Sequence, residues 1–468
     1  MHYFFDVTAI FTITYFALLN GIYVLFTLIA WRSLSMNLKR RNLQGFEEPF
    51  DTPFIPGITV IVPAYNEETG IVDSVRSLVD LRYPKFEIVV VSDGSTDATV
   101  ERLKDEYDLV PAHRAARKIL KTKPIISSFV SRHHPNIWVI EKENGGKADA
   151  LNVGIDVARY PYFCAIDADA LIEPDALLQV AAPILSDPDR VVASGGIVRI
   201  VNGCTVDHGR VVEVDLPKSR IAVFQVIEYF RAFLVGRVGW TRFNSLLIIS
   251  GAFGLFRRDL VTKLGGYATD TVGEDLELVV RIHRYHRERK LDYRVVFVPG
   301  PVCWTEAPED LLTLSRQRRR WHRGLGQTLW KHRAALLRPS LGALGLFALP
   351  YFLFFEFLGP VVEVAGPPIT IVAFVLGYLS VPFLVAFIVI AFLLGVTLTV
   401  AALTIEEFNF RRHRHPRDIV RLLAYSITEN IGYRQLTDLW RTMAFVDLVK
   451  GKTEWGAQRR RGFQSRSS

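Results

Sequence analysis

Cysteine is scarce in this sequence, which holds three cysteines in 468 residues: Cys164, Cys204 and Cys303. They are odd in number and widely dispersed, so they do not suggest a disulfide framework. No two of them have the spacing of a zinc site. We therefore expect the chain to fold in a reducing compartment, with its cysteines reduced.

Several other features are missing. The net charge is +8, yet there is no nucleic-acid-binding motif, and we expect no nucleic-acid partner. No internal repeat is present, and the N-terminus lacks the basic start and cleavage site of a signal peptide. Most of the basic clusters instead flank apolar segments, where Lys and Arg mark the cytoplasmic side and meet anionic lipid. These clusters are Lys39–Arg41, Arg316–Arg323, Arg411–Arg417 and Arg459–Arg461.

Apolar residues make up 50% of the chain, and the mean hydropathy is +0.20. The excess lies near the N-terminus and between residues 341 and 405. Residues 7–30 carry no charge and exceed the roughly 20 residues that a membrane-spanning helix needs. Basic residues follow, so the N-terminus is expected outside and the next segment in the cytoplasm. The predicted segments are 1–31 transmembrane helix, 32–56 linker, 57–305 soluble domain, 306–340 interface helices, 341–405 transmembrane helices, and 406–468 basic loop, interface helices and tail.

The C-terminal apolar region contains at least two predicted crossings. One, over residues 344–364, includes Glu356 and Glu363, and ionisable residues in a span face a polar path or a partner, so both are candidates to line a conduit. Residues 369–403 are too long for one upright helix and contain Gly377, which predicts a broken span or a hairpin. The number of spans stays open.

The soluble domain opens with the apolar run Ile58–Val62, which predicts a buried strand leading into a loop with Tyr65 and Glu67. A second run, over residues 86–91, leads to Asp93 in an acidic Gly/Ser turn. Strands alternating with helices predict βαβ units, hence an α/β fold with a mostly parallel sheet. Asp93 then lies at a strand's carboxyl end, where it could hold a nucleoside. The alternative is an ordinary helix N-cap turn.

Two carboxylates, Asp167 and Asp169, end the apolar run that begins at Phe163. If the strand continues through them, both side chains lie on one face, at the sheet edge where α/β proteins bind ligands. Hard oxygen ligands suit Mg²⁺ or Mn²⁺, which also bind substrate phosphates. We therefore predict a metal–diphosphate site. The alternative is a solvated Asp-x-Asp turn.

Three further patterns add candidates. Lys147 follows two glycines that permit close backbone approach, so it could meet a phosphate, or be an exposed loop lysine. Glu274 and Asp275 open a predicted helix, where carboxylates often only complement the dipole. The basic run Gln317–Trp321 lies on a helix and suits diphosphate binding with stacking on a sugar ring. A purely interfacial basic helix would also explain that run.

Taken together, these motifs resemble those of processive family 2 glycosyltransferases, such as cellulose, chitin, hyaluronan and poly-N-acetylglucosamine synthases. The order is the family's: Asp93 in D-G-S-T-D, the D-A-D pair (a DxD motif), the acidic pair at 274–275, and the QxxRW motif at 317–321. The resemblance covers nearly the whole chain. It implies a GT-A-type nucleotide-sugar-binding domain embedded in an α-helical transmembrane protein. The sequence departs from many relatives at Gly273, where they have Thr.

The resemblance also implies a role for each residue. Asp169, with Asp167, would hold Mg²⁺ or Mn²⁺, and Asp275, in the pair with Glu274, would be the general base. The other positions would bind donor or acceptor. Tyr65, Glu67 and Asp93 would bind the nucleoside, and Lys147 would bind the diphosphate. Gln317 would help to bind the donor, Arg320 would stabilise the leaving UDP, and Trp321 would stack on the acceptor sugar.

The implied activity is inverting transfer from UDP-GlcNAc or UDP-glucose into a β-linked polysaccharide, followed by export of the product. The implied location is the plasma membrane, as a multi-pass protein with a cytoplasmic catalytic domain. The expected partners are the UDP-sugar donor, a growing polysaccharide or lipid acceptor, and the bilayer. One alternative is single transfer to a membrane lipid. Another is a degenerate relative acting as a receptor or scaffold. The sequence names neither the sugar nor any accessory subunit.

Overall fold

The structure, a computed structural model, describes residues 2–43, 55–410, 412 and 415–451. The predicted basic tail with Arg459–Arg461 and most of the predicted linker lie outside these residues, as does part of the basic loop at 411–417. The described chain divides into two compact units. We call them the sheet unit (residues 40–43, 55–217 and 244–307) and the helical unit (residues 2–39, 218–243 and 308–451, apart from the gaps given above).

Twelve strands are present in the described residues. They are β1 (Ile58–Ala64), β2 (Phe86–Asp93), β3 (Leu109–Pro111), β4 (Ile125–Ser131), β5 (Ile137–Lys142), β6 (Tyr162–Ile166), β7 (Ala170–Ile172), β8 (Val191–Ile200), β9 (Thr205–Asp207), β10 (Arg210–Glu213), β11 (Phe253–Arg257) and β12 (Arg294–Thr305).

The α-helices of the same residues are α1 (His2–Leu43), α2 (Ile71–Val79), α3 (Thr99–Tyr107), α4 (Lys147–Val157), α5 (Ala176–Ser186), α6 (Arg220–Phe230), α7 (Val238–Arg242), α8 (Arg258–Lys263), α9 (Glu274–Glu288), α10 (Leu311–Lys331), α11 (Leu349–Tyr351), α12 (Gly359–Val375), α13 (Val381–Ile388), α14 (Leu394–Phe410), α15 (Pro416–Thr428) and α16 (Arg434–Val449). Short π-helical segments are Arg231–Arg237, Leu344–Ala348, Phe352–Phe357, Val389–Leu393 and Glu429–Tyr433, and short 3₁₀ turns are Arg333–Ala335 and Pro339–Leu341.

Ten strands of the described chain form one sheet in the order β3-β4-β5-β2-β1-β6-β11-β8-β12-β7. Strands β5, β2, β1 and β6 are parallel neighbours, but β11 runs antiparallel between β6 and β8. The prediction of a mostly parallel sheet is thus corrected to a mixed sheet. The βαβ alternation that predicted it covers only the first half of the unit, and β3 and β4 add antiparallel pairs at one edge.

Both faces of the sheet are buried at its centre. Strand β1 is buried along almost its whole length, as is β2, and both are rich in Val and Ile, which pack well on a pleated surface. Such continuous apolar runs are typical of parallel strands covered by helices on both faces. This rigid centre carries, at its carboxyl ends, the loops that hold the candidate site residues.

Helix α4 lies directly against the sheet at Gly154. A Cβ atom on Gly154 would come within 2.3 Å of the Ile61 Cγ2 atom of β1. Every residue of α4 from Ala148 to Val157 is buried, so the helix has no room to shift outward. The glycine therefore sets the distance between this helix and the sheet, and with it the position of Lys147 at the first residue of the helix.

Residues 218–243 belong to the helical unit, so the predicted continuous domain 57–305 is interrupted. The ring of Trp240 lies 4.9 Å from that of Phe26 on α1 and 5.0 Å from that of Tyr351. This segment packs on apolar helices because its buried side chains are themselves apolar and aromatic.

Helix α1 extends past residue 31, where the transmembrane helix was predicted to end, to Leu43. No Gly or Pro interrupts residues 31–43, so nothing in that stretch stops the helix. The predicted linker at 32–56 accordingly begins later than expected.

Two helical stretches of the described chain, Tyr3–Met36 and Val381–Phe410, are long and apolar enough to cross a membrane, and a third is added if a bent pair counts as one span. That pair is Leu344–Phe357 and Gly359–Val375, bent by 49°. Residues 369–403 are divided by a turn at Gly377, whose φ of +76° suits glycine. Helix α14 continues to Phe410, beyond the predicted boundary at 405.

Replacing Gly154 with Ala should destabilise the sheet unit by about 1–3 kcal/mol, because the new methyl group overpacks against Ile61. Urea unfolding in detergent, followed by tryptophan fluorescence, measures this. Gly21→Ala on α1 is the matched control, since nothing lies within 4 Å of its added Cβ; we expect no loss there. Equal stability of Gly154→Ala and the unchanged protein would contradict the proposed close packing.

Candidate functional site

A buried lysine ties together the loop that precedes α4. Lys142, the last residue of β5, is 0% exposed. Its ammonium contacts the carboxylate of Asp93 at the end of β2 and lies 2.7 Å from Asp149 Oδ1 on α4. Two strand ends and the first turn of a helix are therefore held by one cation. Sequence reasoning missed Lys142, because a lysine at a strand end is usually exposed.

Asp93 was predicted to contact a nucleoside. In the structure its carboxylate is buried and accepts hydrogen bonds from the backbone N–H groups of Gly145 (3.0 Å) and Gly146 (2.7 Å), in addition to the ammonium of Lys142. Asp93 therefore shapes the glycine loop directly. Its contact with a nucleoside stays a prediction.

Lys147, at the start of α4, faces the carboxylates predicted from the sequence. Its Nζ lies 2.5 Å from Asp167 Oδ1 and 3.8 Å from Glu274 Oε1. Burial lowers the pKa of Lys147, but the carboxylates of Asp167 and Glu274 outweigh burial and hold the pKa above the ordinary lysine value. The lysine is thus a partly buried, paired cation and not the exposed loop residue of the alternative interpretation.

Gly251 brings the predicted base to the same place. Its backbone N–H donates to Asp275 Oδ2 at 3.1 Å, and the N–H of Leu276 donates to Asp275 Oδ1 at 2.7 Å. A Cβ on Gly251 would lie 3.2 Å from Lys147 Nζ and 3.3 Å from Asp275 Oδ2. The absence of a side chain at Gly251 therefore lets the ammonium and the carboxylate approach each other.

The Asp167–Asp169 pair lies in a turn. Strand β6 ends at Ile166, and the N–H of Ala170 donates to the carbonyl of Asp167 at 3.1 Å, which closes the turn before β7. The expectation that a continuing strand would place both side chains on one face is therefore corrected. The turn forms because the chain passes from β6 to the far edge of the sheet, where β7 pairs with β12.

Both aspartates nevertheless lie near one buried thiol. Burial raises the pKa of Cys303 on β12 well above its ordinary value, and the carboxylates of Asp167 and Asp169 raise it further. A negative charge on either side chain acts on the same sulfur only if both are close to it. Both carboxylates therefore lie within electrostatic range of this sulfur.

Tyr267 is a further residue of the site that the sequence did not indicate. Burial raises the pKa of its phenol, and the carboxylates of Asp275 and Glu274 raise it further. Asn152 on α4 holds the Tyr267 backbone in both directions, with hydrogen bonds of 2.7 and 2.9 Å. The tyrosine backbone is therefore fixed to α4, and its phenol lies within electrostatic range of the acidic pair at the start of α9.

The predicted loop with Tyr65 and Glu67 is joined to the loop after β2. The N–H of Glu67 donates to Thr99 Oγ1 at 2.8 Å, and the N–H of Thr96 donates to Asn66 Oδ1 at 2.8 Å. Glu67 is buried, whereas Tyr65 is 51% exposed and open to a ligand. Their nucleoside contacts stay predictions.

The QxxRW motif lies in the helical unit, on α10. Trp321 is 43% exposed and has the guanidinium of Arg318 4.6 Å from its ring centre. Arg318 also pairs with Glu228 at 2.7 Å. Gln317 Oε1 is buried with no hydrogen-bond partner among the described residues, and Arg320 is partly exposed. The roles of Gln317, Arg320 and Trp321 stay predictions.

The conduit candidates Glu356 and Glu363 each have an arginine partner on α16. Glu356 lies 3.2 Å from Arg441, and Glu363 lies 3.1 Å from Arg434 and accepts a hydrogen bond from the Tyr15 hydroxyl. An ionisable residue in a span faces either a polar path or a charged partner. In the structure, both glutamates have partners.

The donor set at the aspartates suits a hard cation that also binds phosphate. Within the described ranges, no three His, Cys, Asp or Glu side chains form a group that could hold a metal. Mg²⁺, however, is commonly bound by one or two carboxylates together with substrate phosphates and water. The two carboxylates of this turn, Asp167 and Asp169, fit that pattern.

Two models of known protein families match this chain. The model of "Glycosyl transferase family group 2" matches residues 162–401, and that of "Glycosyl transferase family 2" matches residues 59–114. The poly-beta-1,6-N-acetyl-D-glucosamine synthase of Staphylococcus aureus (strain COL) is 30% identical over 275 residues, 58% of this chain and 55% of that protein. The chain thus matches about half the length of that relative. The probable glycosyltransferase YdaM of Bacillus subtilis (strain 168) is 29% identical over 379 residues, 80% of this chain and 79% of YdaM.

Two solved structures are also similar to this chain. The mannosyltransferase PcManGT from Pyrobaculum calidifontis, in complex with GDP-Man and Mn²⁺, is 19% identical, with 92% of this chain and 99% of that chain covered and a TM-score of 0.48. S. aureus TarS 1-349, in complex with UDP-GlcNAc, is 18% identical, with 83% and 92% covered and a TM-score of 0.39.

Replacing Lys142 with Met should destabilise the sheet unit by about 3–5 kcal/mol, because it leaves two buried carboxylates without their cation. Urea unfolding in detergent is again the measurement. Lys121→Met, at an exposed position, removes the same charge and should change stability by less than about 0.5 kcal/mol. Lys142→Met/Asp149→Asn should recover part of the loss. Equal stability of Lys142→Met and Lys121→Met would show that the buried ion pairs of Lys142 do not stabilise the sheet unit.

Proposed function

Because the chain belongs to glycosyl transferase family group 2, we propose that this family 2 glycosyltransferase polymerises a β-linked polysaccharide from a UDP-sugar. The observation that carries the proposal is the convergence of Lys147, Asp167 and Asp275 at Gly251. This arrangement supports a site in which Lys147 would bind the diphosphate, Asp167 would bind the metal and Asp275 would be the general base. Because the S. aureus relative is a poly-beta-1,6-N-acetyl-D-glucosamine synthase, N-acetylglucosamine is the first sugar to test.

The base is Asp275 in this proposal. Backbone N–H groups of Gly251 and Leu276 hold its two carboxylate oxygens, so the carboxylate has a defined orientation. It would take the proton from the acceptor hydroxyl as that oxygen attacks the anomeric carbon. A single displacement inverts this carbon, so an α-linked donor gives a β-linkage.

The leaving diphosphate needs positive charge. Lys147 would supply part of it from the start of α4, after glycines whose backbone can approach a phosphate closely. Mg²⁺ or Mn²⁺, held by Asp167 and Asp169, would supply the rest by neutralising charge on the diphosphate oxygens. The resemblance to processive family 2 glycosyltransferases implies that Arg320 would also stabilise the charge of the leaving diphosphate.

The apolar helices support a membrane location for the chain. We propose that Tyr3–Met36 and Val381–Phe410 cross the bilayer, that the sheet unit is cytoplasmic, and that the helical unit holds the growing chain during repeated transfer and export. The sheet unit would have a GT-A arrangement. Single transfer to a lipid acceptor would use the same donor site.

Replacing Asp275 with Asn should lower transfer by at least about 10²-fold, because the amide cannot accept the proton, while the donor dissociation constant should change by less than about twofold, because the donor's other contacts remain. Release of UDP and equilibrium binding of the donor measure the two effects. Glu288→Gln, at the other end of α9, is the control and should keep full activity. Transfer retained by Asp275→Asn would remove this residue from the proposed role.

Incubation of the purified full-length chain with UDP-GlcNAc or UDP-glucose tests the overall proposal. We expect a product of high molecular weight from UDP-GlcNAc, since a holding site allows successive additions before release. Gel sizing of radiolabelled product measures it. A lipid carrying a single sugar would favour the alternative, and no UDP release from any UDP-sugar would refute the proposal.

A further inference from the structure

Lys147 and a divalent cation require the same oxygen. Lys147 Nζ lies 2.5 Å from Asp167 Oδ1, and the two side chains are only 16% and 28% exposed, so solvent screens this ion pair weakly. A divalent metal ion bound to Asp167 Oδ1 would lie within a few ångströms of the Lys147 ammonium. At this partly buried position the two cations would repel one another. The ion pair and a metal–carboxylate bond therefore oppose one another.

The surroundings of the ammonium favour its present place. Glu274 Oε1 lies 3.8 Å from Lys147 Nζ, and Asp275 Oδ2 approaches the same side of Gly251. Without the lysine, the carboxylates of Asp167, Glu274 and Asp275 would leave a strongly negative local potential. Such a potential attracts Mg²⁺ or Mn²⁺, whose preferred ligands are carboxylate oxygens.

We propose that Lys147 competes with the divalent metal for Asp167, so that the lysine acts as a positioning residue that weakens metal binding until an anion draws its ammonium away. In the proposed function that anion is the donor diphosphate, and this part of the inference rests on that function. The competition itself does not, since it depends only on the ion pair and on the carboxylates around it.

Binding of Mn²⁺ alone to the purified full-length chain tests the competition, with electron paramagnetic resonance of the free ion as the readout. Lys147→Met keeps a side chain of similar length and removes the charge. We expect its Mn²⁺ dissociation constant to be lower than that of the unchanged protein by about tenfold or more. Lys147→Arg, which keeps a cation, should bind Mn²⁺ as weakly as the unchanged protein.

Two controls separate competition from a general loss of positive charge. Lys123→Met removes an exposed lysine whose side chain lies beside Gly145, and it should leave Mn²⁺ affinity within about twofold. Lys147→Met/Asp167→Asn should lose the gain, because the contested oxygen ligand is gone.

Equal affinity of Lys147→Met and the unchanged protein would overturn the proposal, as would an equal gain in Lys123→Met or a gain that persists in the double variant. If Lys147→Met does not fold, Lys147→Gln takes its place in the same measurement. If the chain shows this competition but releases no UDP, the proposed function is contradicted, whereas the competition is retained.

Discussion

The candidate site depends on a lysine that cannot reach water. Lys142 lies between the carboxylates of Asp93 and Asp149, all three buried. A buried charge is tolerated only when it is paired and hydrogen-bonded, so each of these residues requires the other two. Since they lie on β2, β5 and α4, the requirement joins three elements at the edge of the sheet that carries the site.

This clamp positions the loop between β5 and α4, and Lys147 with it. The carboxylate of Asp93 accepts hydrogen bonds from the N–H groups of Gly145 and Gly146. These bonds set the path of the backbone into the helix. Close packing at Gly154 then fixes the helix against β1. The reach of Lys147 to Asp167 is thus determined by contacts made far from the aspartate itself.

Charges in the helical unit follow the same rule of pairing. Arginines there meet carboxylates from distant parts of the chain, because an unpaired charge among apolar helices would lose its hydration without compensation. The described pairs include Arg318–Glu228, Arg231–Glu429, Arg319–Asp447, Arg434–Glu363 and Arg441–Glu356. Two of them, Arg318–Glu228 and Arg231–Glu429, join residues 218–243 to later helices of the same unit, which helps to explain why that segment leaves the sheet unit.

By itself the sequence determined the central strands, the apolar helices and the family. Runs of β-branched residues predict β1 and β2, and the acidic motifs locate Asp167, Glu274 and Asp275, because these signals are local in the chain. Tertiary structure alone decided the mixed strand order, the turn at Asp167–Asp169 and the burial of Lys142. It also revealed Tyr267 and Gly251 as parts of the site. Each of these depends on contacts between residues far apart in sequence, which local periodicity does not encode.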